Sequence, residues 1–481
     1  MNGWDLEVDV LVVGAGGAGL AAAIAAHDSG AVVAITEKLD RPGGNTALST
    51  GSLPGAGTRF QRAAGIDDNP ALFLKDLLSL SGSHDADDLV RILAERSAEL
   101  VEWLVDGAGL RLDVIVDYRH VGHSVPRLHA PSSRKGQDLT DDLLAAVAKR
   151  AIPLALSNPV RSLERDAGGR LVGAITHDGA GRESRIAAKK IILCVNGFGA
   201  SPDLVEAYCP EIAGAMYVSA KGSEGEAVYW GRTLGASFGN MRSYQGFATV
   251  IYPHGELLSW TTIEKGGIVV NARGERFGDE AIGYSGFTAP VKNQIGPVTA
   301  IFDQRIYDIA AREPWFKEIL DYGGARAANT LEELARATDI DLSTLARTIA
   351  DYNKAAAGSV SDLHGRSDFG EAPLVAPYWY ARVLPALLST QGGLMIDTAG
   401  RVLDKAGAAI PNLFAAGGAV AGISGREGGV GYASGSGLLH AIGLGWIAAR
   451  TAVSDLCKEE SSRPQMRETP ASMSDASTTR Q

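Results

Sequence analysis

Residues 8–38, VDVLVVGAGGAGLAAAIAAHDSGAVVAITEK, contain the first spacing in the chain that fits a defined chemistry. Gly14, Gly16 and Gly19 form G-x-G-x-x-G. Such a turn binds a pyrophosphate when three conditions hold. Its first glycine must allow a tight turn, its second must let the backbone approach the ligand, and its third must let helix and strand pack closely. A helix N-terminus behind the turn then faces the phosphates. The flanks match. Val8–Val13 is a continuous apolar run, as for a strand buried on both faces. Leu20–Asp28 reads as an alanine-rich helix and Ala31–Thr36 as a second strand. Glu37, at the end of that strand, is placed to accept from ribose hydroxyls. Gly17 and Ala18 in the turn, and Lys38 after the acid, are expected beside the same ligand.

The composition allows this and little that is exotic. The chain has 481 residues, 45% hydrophobic and 21% charged, which suits a globular protein of two or three domains. A net charge of −11 without a basic stripe argues against nucleic-acid binding. Cys194, Cys209 and Cys457 show neither metal spacing nor a disulfide framework, so no metal is expected and a reducing, cytoplasmic setting is the simpler reading. The N-terminus lacks the marks of a signal peptide. The most apolar stretches, 10–27 and 437–449, are too short or too rich in glycine and alanine to cross a membrane. Residues 456–481 are polar, contain proline and are expected to be a disordered tail.

Further blocks resemble, in order, the flavoprotein subunits of fumarate reductase and succinate dehydrogenase, together with the ketosteroid dehydrogenases. RPGGNTALSTGS (41–52) is similar to that family's GGN loop under the flavin, through Gly43, Gly44, Asn45, Thr46 and Ser49, with Gly51 just after. SVPRLHAPSSRKGQDLTDDL (124–143) resembles its Arg-x-His segment, here Arg127 and His129. KKIILCVNGFGASPDL (189–204) resembles the strand closing the FAD domain, with Asn196-Gly197 where Thr-Gly is usual. KGSEGEAVYWGRTLGA (221–236), PNLFAAGGAVAGISG (411–425) and GYASGSGLLHAIGLGWIAA (431–449) complete the series, which spans about residues 7–450.

The resemblance implies an α/β fold, with a discontinuous Rossmann-like FAD-binding domain at 1–243 and 375–455. An α+β cap, 244–374, is inserted between its parts. Residues 329–358 read as two amphipathic cap helices, with apolar faces at Leu331, Leu334 and Ala335, then Leu342, Leu345 and Ile349. FAD is the implied cofactor. Segment 41–52 has no histidine, so the link is expected to be non-covalent. Val160, Ala416, Gly417, Gly418, Ser434, Gly437 and Leu438 join the expected FAD contacts.

Against the reductase pattern the site has lost its cations. SYQGFATV (243–250) has no histidine, and Ser259-Trp260 replaces a Thr-Glu pair. Leu388-Ser389 stands where a histidine precedes the G-G-L turn. In NARGERFGDEAIGYSG (271–286), Tyr284 stands at the place of the proton-donating arginine. A tyrosine there, with Tyr432-x-Ser434 in GYASG, resembles the ketosteroid dehydrogenase branch. The implied chemistry is desaturation beside a ketone. A phenol of pKa about 10 takes the α-proton when its phenolate is stabilised. Donors polarise the carbonyl, and hydride leaves to the flavin.

Tyr284 is thus the expected base, with Tyr432 and Ser434 as proton relay or carbonyl donors; the two tyrosines are interchangeable at this stage. Arg426, Tyr244, Gly435 and Tyr118 are the expected substrate contacts. Each has a plain structural reading beside it. Tyr284 packs in the cap, Ser434 is a helix N-cap, Arg426 is a surface ion pair, and Arg127 with His129 is structural. Glu280 is read as a cap anchor. The substrate is expected to be a 3-ketosteroid or a small cyclic ketone such as 4-oxocyclohexanecarboxylate, with electrons passing to oxygen, a quinone or a protein. A fumarate- or enoate-type reductase and a flavin protein without turnover are the other readings.

Overall fold

The strand–turn–helix–strand unit forms as Leu6–Val13, Gly17–Asp28 and Val33–Thr36. The computed structural model describes residues 3–462, apart from Tyr118 and the side chains of Pro314 and Trp315. Val10, Leu11 and Val12 are fully buried because parallel strands cover both edges of this strand and helices cover its faces. In register, Val10 lies opposite Val33 on one side and Lys190 on the other. The opening helix is apolar all round: Gly17 to Ala26 are buried, as for a helix enclosed by the core. It packs on the closing helix, Ser436–Ser461, so closely that a Cβ on Gly445 would strike the backbone of Ala18.

Eight strands form the first sheet. Its main order is Arg401–Leu403, Ala409–Ala415, Glu183–Leu193, Leu6–Val13, Val33–Thr36 and Leu154–Ala155. A second sheet of seven strands holds Ile268–Val270, Val298–Asp303, Tyr378–Thr390, Arg242–Ile251 and Glu427–Gly428 along its main path. Tyr378–Thr390 begins past the expected boundary at 375 and is the spine of this second sheet, pairing with four other strands. The molecule thus joins a Rossmann-like unit to a mixed α/β cap.

The two amphipathic cap helices are Leu331–Thr338 and Leu342–Ala356, capped by Thr330 and Asp341. Leu334, Ala335, Leu345 and Ile349 are buried as expected, whereas Leu342 is exposed. Glu280 is indeed the cap anchor. It is buried, receives Arg276 at 2.6 Å and lies 3.4 Å from Arg366.

The expected tail does not begin at 456. The closing helix continues to Ser461, because Glu459 and Glu460 pair with Lys190 and Lys189 of the strand Glu183–Leu193 and tie down its last turn. Residues 463–481 lie outside the described residues. Among the described residues, no helix is long and apolar enough to cross a membrane.

Candidate active site

A cleft of about 310 Å³ opens at the glycine turn. Gly14, Gly16, Gly17 and Ala18 line it, with Glu37 and Lys38 at one end and Gly44, Asn45 and Thr46 along one wall. Val160, Asn196, Gly417 and Gly418 close the opposite side. The local geometry explains the residue types. Gly14 sits at φ +106°, and a Cβ there would collide with the Cys194 carbonyl. A Cβ on Gly19 would strike the carbonyl of Gly14, so helix and turn close up only on glycine. Gly43 bridges to Gly16 and donates its N–H to Ala15 O at 2.9 Å.

The cleft also offers unpaired polar atoms. Thr36 Oγ1 and Glu226 Oε2 are buried there without a protein partner, a state that a polar ligand relieves. Glu37 accepts from Ala15 N at 2.8 Å and Leu39 N at 2.9 Å, which fixes its carboxylate at the rim. Size, glycine cradle, unpaired polar atoms and rim acid together fit a dinucleotide such as FAD.

Not every expected contact lines the cleft. Ser49 and Gly51 brace the 41–52 loop from behind: Ser49 Oγ donates to Thr46 O at 2.7 Å and accepts from Gly51 N at 3.0 Å. Gly197 packs on Thr390, and Ala416 is buried beside Gly417. Leu438 is buried in the first turn of the closing helix, whose Ala441 does line the cleft. Asn158 and Arg161 are lining residues outside every quoted block, and Trp230 lines the cleft from within the 221–236 block. Glu224 and Glu226 belong to the 221–236 block, which carried no expected contact. Lys38 bridges to both, with Glu224 at 2.8 Å.

At the other side of the closing helix's N-terminus, Tyr284 and Tyr432 meet. Their ring centroids are 6.1 Å apart at an interplanar angle of 60°. Phe247 at 5.2 Å and Trp260 at 6.4 Å complete an aromatic wall. The short helix Gly283–Gly286 carries Tyr284 and is docked on strand Arg242–Ile251, where Gly246 N donates to Ser285 Oγ at 2.9 Å. Burial pushes the Tyr284 phenol well above its ordinary range, and Tyr432 adds to this; hydrogen bonding from Ser434 and Gln245 pulls it back.

Tyr432 is also buried and raised for the same first reason. Its hydroxyl oxygen accepts the Gly437 N–H at 3.1 Å, one of the free donors at the helix start. That helix begins at Ser436 with Gly435 as N-cap at φ +76°, so Ser434 is not the cap. Ser434 is instead clamped by its backbone. Its N–H donates to Val121 O at 3.0 Å, and its carbonyl accepts from His123 Nε2 at 2.8 Å.

His123 Nδ1 in turn faces Arg127 at 3.2 Å, which leaves the ring proton on Nε2. Burial first, and Arg127 after it, lowers His123 to about 4, so the ring stays neutral. Arg127 is fully buried against Asp68 at 2.7 Å and Asp76 at 2.8 Å. His129 faces Thr58 Oγ1 at 2.9 Å. Both therefore serve the scaffold.

Two expected substrate contacts point elsewhere. Tyr244 is buried in a separate cluster with Phe198 and Leu387, and its hydroxyl donates to Glu211 at 2.9 Å. The next residue on its strand, Gln245, faces Tyr284 instead. Arg426 is 64% exposed and pairs with Asp85 at 2.9 Å, so its charge is spent at the surface. Tyr118 lies outside the described residues.

Comparison with known proteins agrees with this architecture. The FAD binding domain family matches residues 9–433. The chain is 32% identical over 441 residues to a probable fumarate reductase of Shewanella frigidimarina, covering 88% of this chain and 74% of that one. It is 30% identical over 431 residues to a urocanate reductase of Eggerthella lenta, covering 86% and 70%. Among solved structures, the open conformation of a flavocytochrome c3 fumarate reductase superposes with TM-score 0.79 at 30% identity, covering 94% of this chain and 79% of that one. The 3-ketosteroid-Δ4-(5α)-dehydrogenase of Rhodococcus jostii RHA1 superposes with TM-score 0.75 at 26% identity, covering 94% and 98%. With its glycine cradle, rim acid and cleft, the chain belongs to the FAD-binding flavoprotein superfamily of fumarate reductases and ketosteroid dehydrogenases, and it is an FAD-dependent oxidoreductase acting on carbon–carbon bonds.

Proposed function

We propose that this enzyme desaturates an uncharged cyclic ketone next to its carbonyl. The observation that carries the reading is the convergence of Tyr284, Tyr432 and Ser434 while Arg426 is spent on Asp85. The groups recorded around Tyr284 are Tyr432, Ser434, Gln245, Phe247 and Trp260, all uncharged at neutral pH. A dicarboxylate needs cations to offset its desolvation, and this set supplies none. A neutral ring ketone needs an apolar wall and one or two donors. That favours a 3-ketosteroid or unsubstituted alicyclic ketone over 4-oxocyclohexanecarboxylate, for which Arg426 would have to leave Asp85 to supply a counter-charge.

The roles follow from the hydrogen bonds. Tyr432 accepts from Gly437 N–H, which leaves its own proton free to donate, and that bond offsets part of the rise that burial causes. It donates to the ketone oxygen and stabilises charge developing there. Tyr284, whose oxygen receives Ser434 and Gln245, takes the α-proton. Bound FAD, held without a covalent bond by the cleft residues, supplies the acceptor for the hydride from the β-carbon. The ketone loses one proton and one hydride and becomes an α,β-unsaturated ketone. The three free cysteines fit a reducing, cytoplasmic setting.

The reductase reading has its own support, since curated relatives carry the names fumarate reductase and urocanate reductase. One assay separates the two. With an artificial electron acceptor, the enzyme should convert saturated cyclic ketones to enones and show no turnover with fumarate or urocanate under a reduced dye. Reduction of the acids without enone formation would overturn the desaturase reading.

A further inference from the structure

In the second sheet, strand Arg242–Ile251 is buried at every position from Ser243 to Ile251 except Gln245, which is half-buried. The strand opposite it, Tyr378–Thr390, has the same break: Leu387 and Thr390 are buried, and Leu388 and Ser389 between them are half-buried. Gln245 pairs with Ser389. The register slips just beyond, so Gly246 faces Leu387 and Leu388 is the extra residue. This slip lies in the second strand, so along the first Gln245 and Phe247 keep the same face. Phe247 stands 5.2 Å from Tyr284, itself half-buried while Ser285 and Gly286 after it are buried. Half-buried side chains on the shared face of two interior strands line open space, here on the side of the tyrosines.

Three uncharged polar side chains meet there. Gln391 Nε2 donates to Ser389 Oγ at 3.1 Å, and Ser389 Oγ donates to Gln245 Oε1 at 3.0 Å. Gln391 is anchored by its backbone, its N–H on Ser243 O at 2.8 Å and its carbonyl accepting Gly422 N at 2.6 Å. Thr390, the next residue, turns to the other side, where its Oγ1 accepts from Phe198 N at 3.0 Å. The direction of the chain uses the Gln245 oxygen and leaves its Nε2, with two N–H donors, to the open space. One phenol oxygen cannot take both. An amide held at its oxygen by two further side chains is a fixed donor. Fixed polar groups in an otherwise apolar pocket set the orientation of a ligand and its specificity.

We propose that Gln245, held by Ser389 and Gln391, is a substrate-binding residue that donates to a second, uncharged oxygen of the substrate, which is thus a cyclic ketone bearing a further carbonyl or ether oxygen. This rests on the reading in which Tyr432 holds the reacting carbonyl and Tyr284 takes the proton. The donor selects the class. An amide without a cation beside it does not offset the desolvation of a carboxylate, whereas a carbonyl oxygen matches it. A hydrocarbon at the same place would cover the amide and leave its N–H groups unpaired, and a site built to hydrogen-bond a ligand discriminates against the analogue that lacks the bond. Phe247, Leu388 and Trp260 give the ring apolar contact. A ketone with one oxygen meets that wall and leaves Gln245 unused.

The experiment reads binding rather than turnover. FAD-loaded enzyme carrying Tyr284→Phe, which holds a ketone without taking its proton, is titrated by calorimetry with two pairs of ligands that differ by one oxygen. These are cyclohexanone against cyclohexane-1,4-dione, and 5α-androstan-3-one against 5α-androstane-3,17-dione. A second carbonyl accepts and cannot donate, so each pair reports a donor on the protein. In the pair whose ring fits, the diketone should bind about two- to tenfold more tightly, the size of one hydrogen bond between neutral groups. Adding Q245L should erase that preference while FAD stays bound and the monoketone affinity changes by less than about twofold, as for a substitution that leaves the fold intact. Adding S389A, which frees the amide to turn, should reduce the preference by a smaller factor. Equal affinities within both pairs, or a preference that survives Q245L, would overturn the proposal and leave the desaturase reading standing. Binding of none of the four ketones would overturn both.

Discussion

Tyr284 and Tyr432 arrive from segments almost 150 residues apart and meet edge to face, their centroids 6.1 Å apart. The contact makes different demands on the two phenols. Tyr432 is fastened by the Gly437 N–H at 3.1 Å. Tyr284 is approached by two side chains and is only partly buried. On the proposed reading, the first phenol donates to the ketone and the second exchanges the proton.

Removing each hydroxyl should therefore cost differently. Tyr284→Phe should lower the rate of flavin reduction by a ketone about 10²–10⁴-fold, the range for a lost general base, while FAD stays bound. Tyr432→Phe should cost less in that rate and more in ketone affinity. Rapid-mixing kinetics over a range of ketone concentrations separates the two. Equal effects on both parameters in both variants would remove the division of roles.

The pH profile has a defined sign. Burial raises Tyr284, so at neutral pH nearly all of it is the protonated phenol. The fraction able to accept a proton grows as pH rises, and kcat/KM for a neutral ketone should climb through the alkaline range without an early plateau. A flat profile between pH 7 and 10 would contradict Tyr284 as base.

Arg426 should be dispensable for neutral substrates. An exposed pair such as Arg426–Asp85 contributes about 0–1 kcal/mol. Arg426→Ala should leave the melting temperature and kcat/KM with uncharged ketones within about twofold, as for most surface substitutions. A selective loss with carboxylate-bearing ketones would show that the arginine leaves Asp85 to meet them.

Acid should unfold the protein through its buried histidines. His123, His129 and His440 are each lowered from 6.5 to about 4, burial being the first cause. A group depressed on folding contributes stability that is complete above its unfolded value and is lost as pH falls towards its folded one. The urea midpoint should therefore hold steady above pH 7 and decline between about pH 6.5 and 4. Replacing His440, which donates to Ala421 O at 3.1 Å, with glutamine should shrink that decline.

Some of this was legible because the demand is local. A Cβ on Gly19 would strike the carbonyl of Gly14, five residues before it, so that part of the spacing reveals itself, whereas a Cβ on Gly14 or Gly17 would meet Cys194 or Thr46 from distant segments. The tyrosines were legible only by resemblance, since no local pattern joins residue 284 to residue 432. What escaped was set by distant partners. Tyr378–Thr390 became the spine of the second sheet through strands from elsewhere in the chain. Tyr244 and Gln245 are adjacent, and strand alternation sends one to Glu211 and the other to the site. Residues 456–461 are polar enough to look loose, and they are helical because two lysines of a buried strand hold them.

The central claim is tested most directly by mixing the oxidised enzyme with an uncharged saturated cyclic ketone in the absence of oxygen and following the flavin band. The account predicts bleaching with the wild type, together with formation of the enone, and almost none with Tyr284→Phe. No bleaching by any ketone, with dithionite-reduced enzyme reoxidised by fumarate or a similar unsaturated acid, would contradict it and make the protein a reductase.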